Sequence, residues 1–161
     1  MPTPPVIYVL NGPNLNRLGK REPEIYGTQT LDDIALLLTD RADQLGVRLF
    51  IRQSNHEGHL IDWLHEAEDS AAAAVIINPG GFSHTSVALH DAVKAIATPV
   101  FEVHLSDPET RESFRHVDYV AMAATEVIKG KGVQGYLLAL DAAAALCKSA
   151  AEAEGQVSRG V

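Results

Sequence analysis

Short apolar runs alternate with longer segments of helical spacing along most of the chain. The apolar runs are almost continuous, which is typical of strands that are buried on both faces of a parallel sheet. We therefore predict an α/β fold of the flavodoxin-like type, with a five-stranded parallel sheet and helices on both faces. The predicted strands are 6–10, 47–53, 74–78, 100–104 and 119–123, and the predicted helices are 31–45, 58–67, 86–96 and 133–151.

The bulk composition indicates one globular domain. A chain of 161 residues that is 46% apolar can bury a core without a disulfide or a metal, so we assign residues 1–151 to a single domain. Residues 152–161 are polar and contain glycine, and we expect a mobile tail there. The single cysteine, Cys147, cannot form an intramolecular disulfide and is expected to be a small, buried or half-buried residue of the last helix.

Charge and hydropathy exclude several classes of partner. The net charge is −8 and the basic residues are scattered, which argues against nucleic acid. We find no signal peptide and no apolar run near the roughly 20 residues that span a bilayer, so we expect a cytoplasmic protein without a membrane partner. An acidic protein of this kind would hold an anionic substrate with a few local cations and backbone amides.

The loop after the first strand is the first candidate for chemistry, because ligands of such folds bind beyond the carboxyl ends of the strands. It covers residues 11–27, whereas roughly two to six residues are usual. It holds Arg17 and Arg21 near Tyr26, and a nearby cation favours the phenolate form of a tyrosine. Tyr26 is therefore a candidate general base. The same spacing also fits a tyrosine that packs the loop down beside solvated arginines.

Two further loops follow predicted strands. In residues 78–86, Asn78 and His84 flank a Pro-Gly-Gly turn and offer neutral donors and acceptors to a polyhydroxylated ligand, although an ordinary turn and helix start also fit. In residues 102–106, Glu102 and His104 are two apart on a strand and share a face, so Glu102 could orient His104 as a general acid. A structural histidine at a strand end fits as well.

An anion could bind just beyond His104. The backbone amides of Leu105 and Ser106, with the Ser106 hydroxyl, could form a concave anion site, and Arg111 or Arg115 could supply charge.

Two motifs point to cofactors but lack the required context. The segment GKGVQG at 130–135 matches a dinucleotide pattern, but no second strand and no strand-end acid follow it. His56 and His59 lack the spacing that places two zinc ligands on one helical face. We expect no cofactor and no metal.

Seven short motifs, taken together and in this order, resemble the type II 3-dehydroquinate dehydratase family over about residues 6–140. They are NGPNLN at 11–16, LGKREP at 18–23 with YG at 26–27, QSNHEG at 53–58, INPGG at 77–81, HTSVA at 84–88, EVHLS at 102–106 and GVQGY at 132–136. The resemblance implies a cofactor-free lyase that reversibly dehydrates 3-dehydroquinate to 3-dehydroshikimate through an enolate. The setting is the shikimate pathway of aromatic amino acid biosynthesis or quinate catabolism, and both remain open.

The resemblance also implies residue roles. Tyr26 would take the proton from C2 of the substrate, Arg21 would stabilise the tyrosinate, and His104 would protonate the departing C1 hydroxyl. Asn14 would hold the ordered water that stabilises the enolate. A homo-oligomer is implied as well, a dodecamer built from trimers, in which Asp91 reaches a neighbouring subunit's site. The implied substrate-binding residues are Asn78, His84, Asp91, Leu105, Ser106 and Arg115, with the substrate carboxylate on the amides of Leu105 and Ser106.

The chain departs from the family pattern beside the matched residues. Asp107, Thr110 and the pair Val117-Asp118 stand where Asn, Ala and a His-Ser pair are often found, and Gly81 and His90 replace an Ala and an Arg. Asp107 adds negative charge next to the implied carboxylate site, and His90 precedes Asp91 at the implied subunit contact.

Two alternatives differ in class from an active dehydratase. A flavodoxin-like binding or signalling module would require a hydroxyl-rich phosphate loop or a strand-end acidic cluster, and the loop 11–14 offers neither. A catalytically weakened family member, retained for assembly or regulation, is distinguished only by assay.

Overall fold

The sheet confirms the predicted fold class. A computed structural model describes residues 3–160 of the chain, apart from the side chain of Ser158. All strands are parallel, and they lie in the order β2-β1-β3-β4-β5. The strands are β1 (Val6–Asn11), β2 (Arg48–Gln53), β3 (Ala74–Asn78), β4 (Val100–His104) and β5 (Glu126–Lys129).

Alternate residues of each strand face two separate apolar layers. Ile7 and Val9 of β1 point to one side of the sheet, and Tyr8 and Leu10 point to the other. Helices α2 and α5 cover the first side, and α3 and α4 cover the second. Both faces of the sheet are therefore buried under helices, which explains why the central strands are almost continuously apolar. The helices are α1 (Pro23–Tyr26), α2 (Leu31–Leu45), α3 (Glu57–Asp69), α4 (Val87–Ala95) and α5 (Gln134–Arg159).

Local signals set two helix starts. The Thr30 side chain accepts a hydrogen bond from the Asp33 amide, and the Asp33 carboxylate accepts one from the Thr30 amide, a capping box that begins α2. Ser86 caps α4 by accepting from the Leu89 amide at 2.8 Å. Neither α5 nor any other helix within residues 3–160 is long and apolar enough to cross a membrane.

One predicted strand was misplaced, and one helix was predicted too short. The predicted strand at 119–123 is a turn, and the fifth strand is β5 instead. Val120 is fully buried within that turn, whereas both ends of the edge strand β5 are exposed. Residues 119–123 are therefore more apolar than β5, and the apolar pattern predicted a strand in the wrong segment. Helix α5 continues past the expected end at residue 151 to Arg159, because its last turns consist largely of strong helix formers such as Ala, Glu and Gln. The expected mobility of residues 152–161 stays a prediction, and Val161 lies outside the described residues.

Candidate active site

The loops after β1 and β3 contact each other at two glycines, Gly12 and Gly80. The Gly12 amide donates to the Asn78 carbonyl at 2.8 Å, and a Cβ on Gly12 would lie only 2.5 Å from the Pro79 carbonyl oxygen. Gly80 adopts a positive φ of 58° beside the Pro13 carbonyl. No larger residue fits at Gly12 without moving backbone, so this contact fixes how closely the two loops approach.

A buried polar network lies directly below that contact. The Tyr136 hydroxyl donates to Asn11 Oδ1 at 2.7 Å and accepts from Asn78 Nδ2 at 3.0 Å. Asn11 Nδ2 donates to the Arg52 carbonyl, and Asn78 Oδ1 accepts from the Gly80 amide. Asn11 and Tyr136 are fully buried, and burial raises the pKa of Tyr136, so its hydroxyl stays protonated. Asn11 and Tyr136 were not among the residues predicted to form the site.

One cavity of about 190 Å³ opens at the carboxyl ends of β1, β3 and β4. It gathers nine of the residues predicted to form the site. Two predicted residues do not line it: Glu102 is buried behind His104, and Asp91 is exposed on α4 with its carboxylate 2.8 Å from His90 Nδ1. The predicted residues on its wall are Asn14, Arg21, Tyr26, Asn78, His84, His104, Leu105, Ser106 and Arg115.

Two guanidinium groups lie close to the ring of Tyr26. The Arg21 and Arg111 guanidinium carbons are 5.1 and 5.2 Å from the centre of its ring. Arg111 also donates to Ser106 Oγ at 3.4 Å, which links the tyrosine wall to the predicted anion site. Arg17, the other arginine predicted near Tyr26, is exposed in the 3₁₀ turn Leu15–Arg17 and does not line the cavity. The structure thus replaces Arg17 with Arg111 as the second cation beside Tyr26.

Asn14 has its own fixed position. It adopts a left-handed conformation with φ 69°, and its amide donates to Asn55 Oδ1 at 3.0 Å. Gln53 Nε2 donates to the same Asn55 oxygen and to the Gly12 carbonyl, both at 3.1 Å. These bonds attach the start of the first loop to the end of β2 and leave the Asn14 side chain at the cavity wall.

His104 is held by two carboxylates. Its Nε2 lies 2.8 Å from Glu102 Oε1 and 3.2 Å from Asp118 Oδ2, so Nδ1 is the ring nitrogen without a carboxylate partner. The structure therefore brings together Glu102 and His104, which the spacing on β4 had paired. It adds Asp118, which sequence reasoning noted only as a departure from the family pattern. The other oxygen of Glu102, Oε2, is buried and has no hydrogen-bond partner.

The electrostatics of this cluster favour a charged imidazole. Burial raises the pKa of Glu102 to about 7, although His104 opposes the shift. Burial alone would lower the pKa of His104, but the hydrogen bonds and charges of Asp118 and Glu102 outweigh it and raise that pKa to about 9. Burial also disfavours an ionised Asp118, but its bond to His104 brings the pKa of Asp118 below its ordinary value. At neutral pH, His104 can therefore donate a proton.

The same three residues are the only group of three or more His, Cys, Asp or Glu within residues 3–160 whose ligand atoms are close enough to surround a metal ion. Ligand atoms at tetrahedral zinc distances lie about 3.3 Å apart. The 2.8 Å separation of Glu102 and His104 is a hydrogen-bond distance instead. We therefore describe Glu102, His104 and Asp118 as a hydrogen-bonded cluster.

The turn after His104 is held by the glycine motif that resembles a dinucleotide loop. The Gly130 amide donates to the Ser106 carbonyl at 3.1 Å, and the Gly132 amide donates to the Leu105 carbonyl at 3.0 Å. Asp107 does not line the cavity: its carboxylate caps the Glu109 amide at 3.0 Å and lies 3.9 Å from Lys129 Nζ. Its negative charge is thus partly balanced outside the cavity.

His84 lies on the cavity wall beside His104. Its Nδ1 lies 2.7 Å from the Val117 carbonyl oxygen, which identifies Nδ1 as the protonated nitrogen. The ring stacks near His104 with the ring centres 6.4 Å apart. The cavity wall therefore combines a tyrosine near two arginines with two neighbouring histidines.

Comparison with known proteins identifies the class. A family model described as "Dehydroquinase class II" matches residues 5–144. Because this match covers most of the chain, the chain belongs to the class II dehydroquinase family, as its motifs predicted.

Individual relatives agree with this assignment. A 3-dehydroquinate dehydratase of Phenylobacterium zucineum is 58% identical over 142 residues, which cover 88% of this chain and 97% of the relative. The crystal structure of a type II dehydroquinase from Butyrivibrio crossotus has a TM-score of 0.86 and 35% identity, and the match covers 88% of this chain and 99% of that one. A type II dehydroquinase from Propionibacterium acnes has a TM-score of 0.84 and 43% identity, with 90% and 98% covered.

Proposed function

We propose that this protein dehydrates 3-dehydroquinate to 3-dehydroshikimate through an enolate intermediate, as a cofactor-free lyase. The shikimate pathway of aromatic amino acid biosynthesis is the proposed setting, with quinate catabolism as its alternative. One observation carries the proposal. A tyrosine with two arginines beside its ring and a histidine hydrogen-bonded to two carboxylates line the same small cavity. Family membership favours this enzyme over a flavin carrier or a receiver module.

The proposed reaction begins at Tyr26. Its phenolate takes the proton from C2 of the substrate, and the positive charges of Arg21 and Arg111 stabilise the phenolate before transfer. The electron pair of the C2–H bond moves into an enolate, whose oxygen is stabilised by a water held at Asn14. Each of these contributions is typically worth about 10²-fold or more in rate.

The second half of the reaction uses His104. The enolate electrons re-form the ketone and create the new C1–C2 double bond, the C1–O bond breaks, and His104 protonates the departing oxygen so that it leaves as water. The two carboxylates on Nε2 orient the ring, which leaves Nδ1 as the proton donor to the substrate. Tyr26 ends the cycle protonated and His104 ends it neutral, so one proton must return from the first residue to the second through solvent.

The proposed substrate contacts follow from the cavity wall. The carboxylate would bind the amides of Leu105 and Ser106, with Arg111 close by through its bond to Ser106 Oγ. Asn78, His84 and Arg115 would bind the ring hydroxyls. These local donors are what allow a protein of net charge −8 to hold an anion.

A homo-oligomer and a cytoplasmic location belong to the same proposal. Asp91 projects from α4 with 69% of its side chain exposed, which suits a residue that reaches a neighbouring subunit's site in a dodecamer of trimers. Light scattering on the purified protein tests the assembly: a mass of twelve chains supports it, and a stable active monomer contradicts it. Cell fractionation tests the location.

The activity test is ultraviolet absorbance, because the conjugated product absorbs where the substrate does not. Chelator-treated protein should convert 3-dehydroquinate, and borohydride added with substrate should not inactivate it, since no imine forms. Tyr26→Phe should abolish turnover and keep the fold, since only the proposed base is lost. Tyr8→Phe is the matched control, because Tyr8 lies elsewhere and bonds Ser70. No turnover by folded, assembled protein would contradict the function, and an active Tyr26→Phe would contradict the role of Tyr26.

A further inference from the structure

Asp118 is held in place by two contacts. Its Oδ1 accepts a hydrogen bond from the Ala121 amide at 3.0 Å, and its Oδ2 lies 3.2 Å from Nε2 of His104. The residue belongs to the loop before β5 and is therefore independent of the strand that carries Glu102 and His104. Its side chain is 19% exposed, whereas that of Glu102 is fully buried.

We propose that Asp118 is a positioning residue for the general acid, a second carboxylate that keeps His104 oriented and in its proton-donating form. This inference rests on the proposed function, because it assigns Asp118 a part in protonating the leaving hydroxyl.

The burial of Glu102 explains why one carboxylate is not enough. A fully buried carboxyl with one oxygen unpartnered is costly to ionise, and burial, together with the neighbouring Asp118, raises the pKa of Glu102. Glu102 therefore orients the imidazole but is the costlier of the two carboxylates to keep ionised as its counter-charge. Asp118 also lines an adjacent cavity of about 330 Å³, so it is partly solvated and stays ionised at lower cost. The charge that balances His104 is thus assigned to Asp118.

The surrounding charges make this counter-charge necessary. The guanidinium groups on the same cavity wall all disfavour a positive imidazole. Lys129, the neighbour of His104 on β5, is paired with Glu109 at 3.1 Å, lines the same adjacent cavity as Asp118 and interacts electrostatically with it. Glu102 and Asp118 are the carboxylates in contact with His104. The other titratable or charged side chains around the cavity are Arg21, Tyr26, His84, Arg111 and Arg115.

The direct test is an NMR titration of the His104 imidazole in the full-length protein, with the signal assigned by His104→Gln among the seven histidines. Asp118→Asn removes the charge and keeps an acceptor for the Ala121 amide. We expect the pKa of His104 to fall by about one unit or more, since a charge pair at this distance typically shifts a pKa by roughly 1–3 units. Asp107→Asn is the control, because it removes a nearby carboxylate that does not contact His104.

The kinetic test uses the same variants. In Asp118→Asn the alkaline limb of the kcat profile should move to lower pH by a similar amount, while KM and the rate at acidic pH change little. Asp118→Ser provides a second neutral variant if Asp118→Asn is poorly folded. An unchanged His104 titration overturns the proposal, and so does a shifted titration with an unmoved alkaline limb. If the wild type shows no turnover, the proposed function fails, while the titration still decides whether Asp118 controls the charge of His104.

Discussion

Tyr136→Phe removes one oxygen atom from the buried network beneath the candidate active site. Two partners lose their hydrogen bond: Oδ1 of Asn11, an acceptor at 2.7 Å, and Nδ2 of Asn78, a donor at 3.0 Å. Both side chains are almost completely inaccessible to solvent, so water does not replace the lost bonds. Each unsatisfied buried group costs about 1–3 kcal/mol. Part of this cost is offset because a phenylalanine ring has no hydroxyl to remove from water. We therefore expect the free energy of unfolding to fall by about 2–4 kcal/mol.

That loss is large compared with the total stability of a domain, typically about 5–15 kcal/mol. It should be measured by urea unfolding, followed through Trp63 fluorescence and circular dichroism at one fixed protein concentration, because oligomerisation would couple stability to concentration. Substrate affinity should weaken as well, since Asn78 lines the cavity and loses the contact that fixes its amide.

Tyr8→Phe is the matched comparison for this substitution. Its hydroxyl bonds Ser70 at 3.2 Å in a partly exposed place, and Ser70 keeps a bond to the Ala67 carbonyl at 3.3 Å. We expect this variant to lose less than about 1 kcal/mol. If Tyr136→Phe is no more destabilised than Tyr8→Phe, the network does not hold the loops as we argue.

Two further predictions test the loop contact and the buried histidine. Gly12→Ala should lower Tm and raise KM, because its Cβ would lie 2.5 Å from the Pro79 carbonyl oxygen. Gly58→Ala is the control and should be neutral or slightly stabilising, because no atom lies within 4 Å of its Cβ. Equal Tm values for the two variants would contradict the close approach of the loops at Gly12. The pKa of His104 is raised to about 9, so its contribution to stability is complete below its ordinary value of about 6.5 and is lost as pH rises through about 9. Urea midpoints should therefore fall more steeply between these pH values in the wild type than in His104→Gln, and parallel curves would contradict this prediction.

The fold was predictable because its central strands are buried on both sides. β1 and β3 are apolar up to their final asparagine, and β4 is apolar apart from Glu102 and His104. Their predicted boundaries agree with the structure to within one residue. The edge strand β5 was not predictable in this way, since Glu126 and Lys129 at its ends are exposed and give it no apolar signal. Its identity is set by pairing with β4, which the sequence pattern does not encode.

The site was predictable where a local spacing implies a contact. Glu102 and His104 are two apart on a strand, and they meet at 2.8 Å. Asp118 is fourteen positions beyond His104 and Tyr136 is 125 positions beyond Asn11, so no periodicity relates either pair. The departure from serine at position 118 was the available signal, but only the fold shows that this carboxylate reaches the imidazole. The sequence likewise could not decide whether Arg111 or Arg115 lies beside the predicted anion site, because that depends on the path of the loop that carries both residues.

The order of the strands explains why these loops form one site. β1 lies between β2 and β3, and β3 lies between β1 and β4, so the loops that carry the proposed base, the polar wall and the acid emerge side by side. Neighbouring strands are about 4.8 Å apart, which separates the ends of β1 and β4 by roughly 10 Å, a span that accommodates a six-membered ring between acid and base. Catalysis in this arrangement depends on how closely adjacent loops approach as much as on the reacting groups. Gly12 sets that approach between the loops after β1 and β3, so Gly12→Ala should raise KM without altering any group proposed to react.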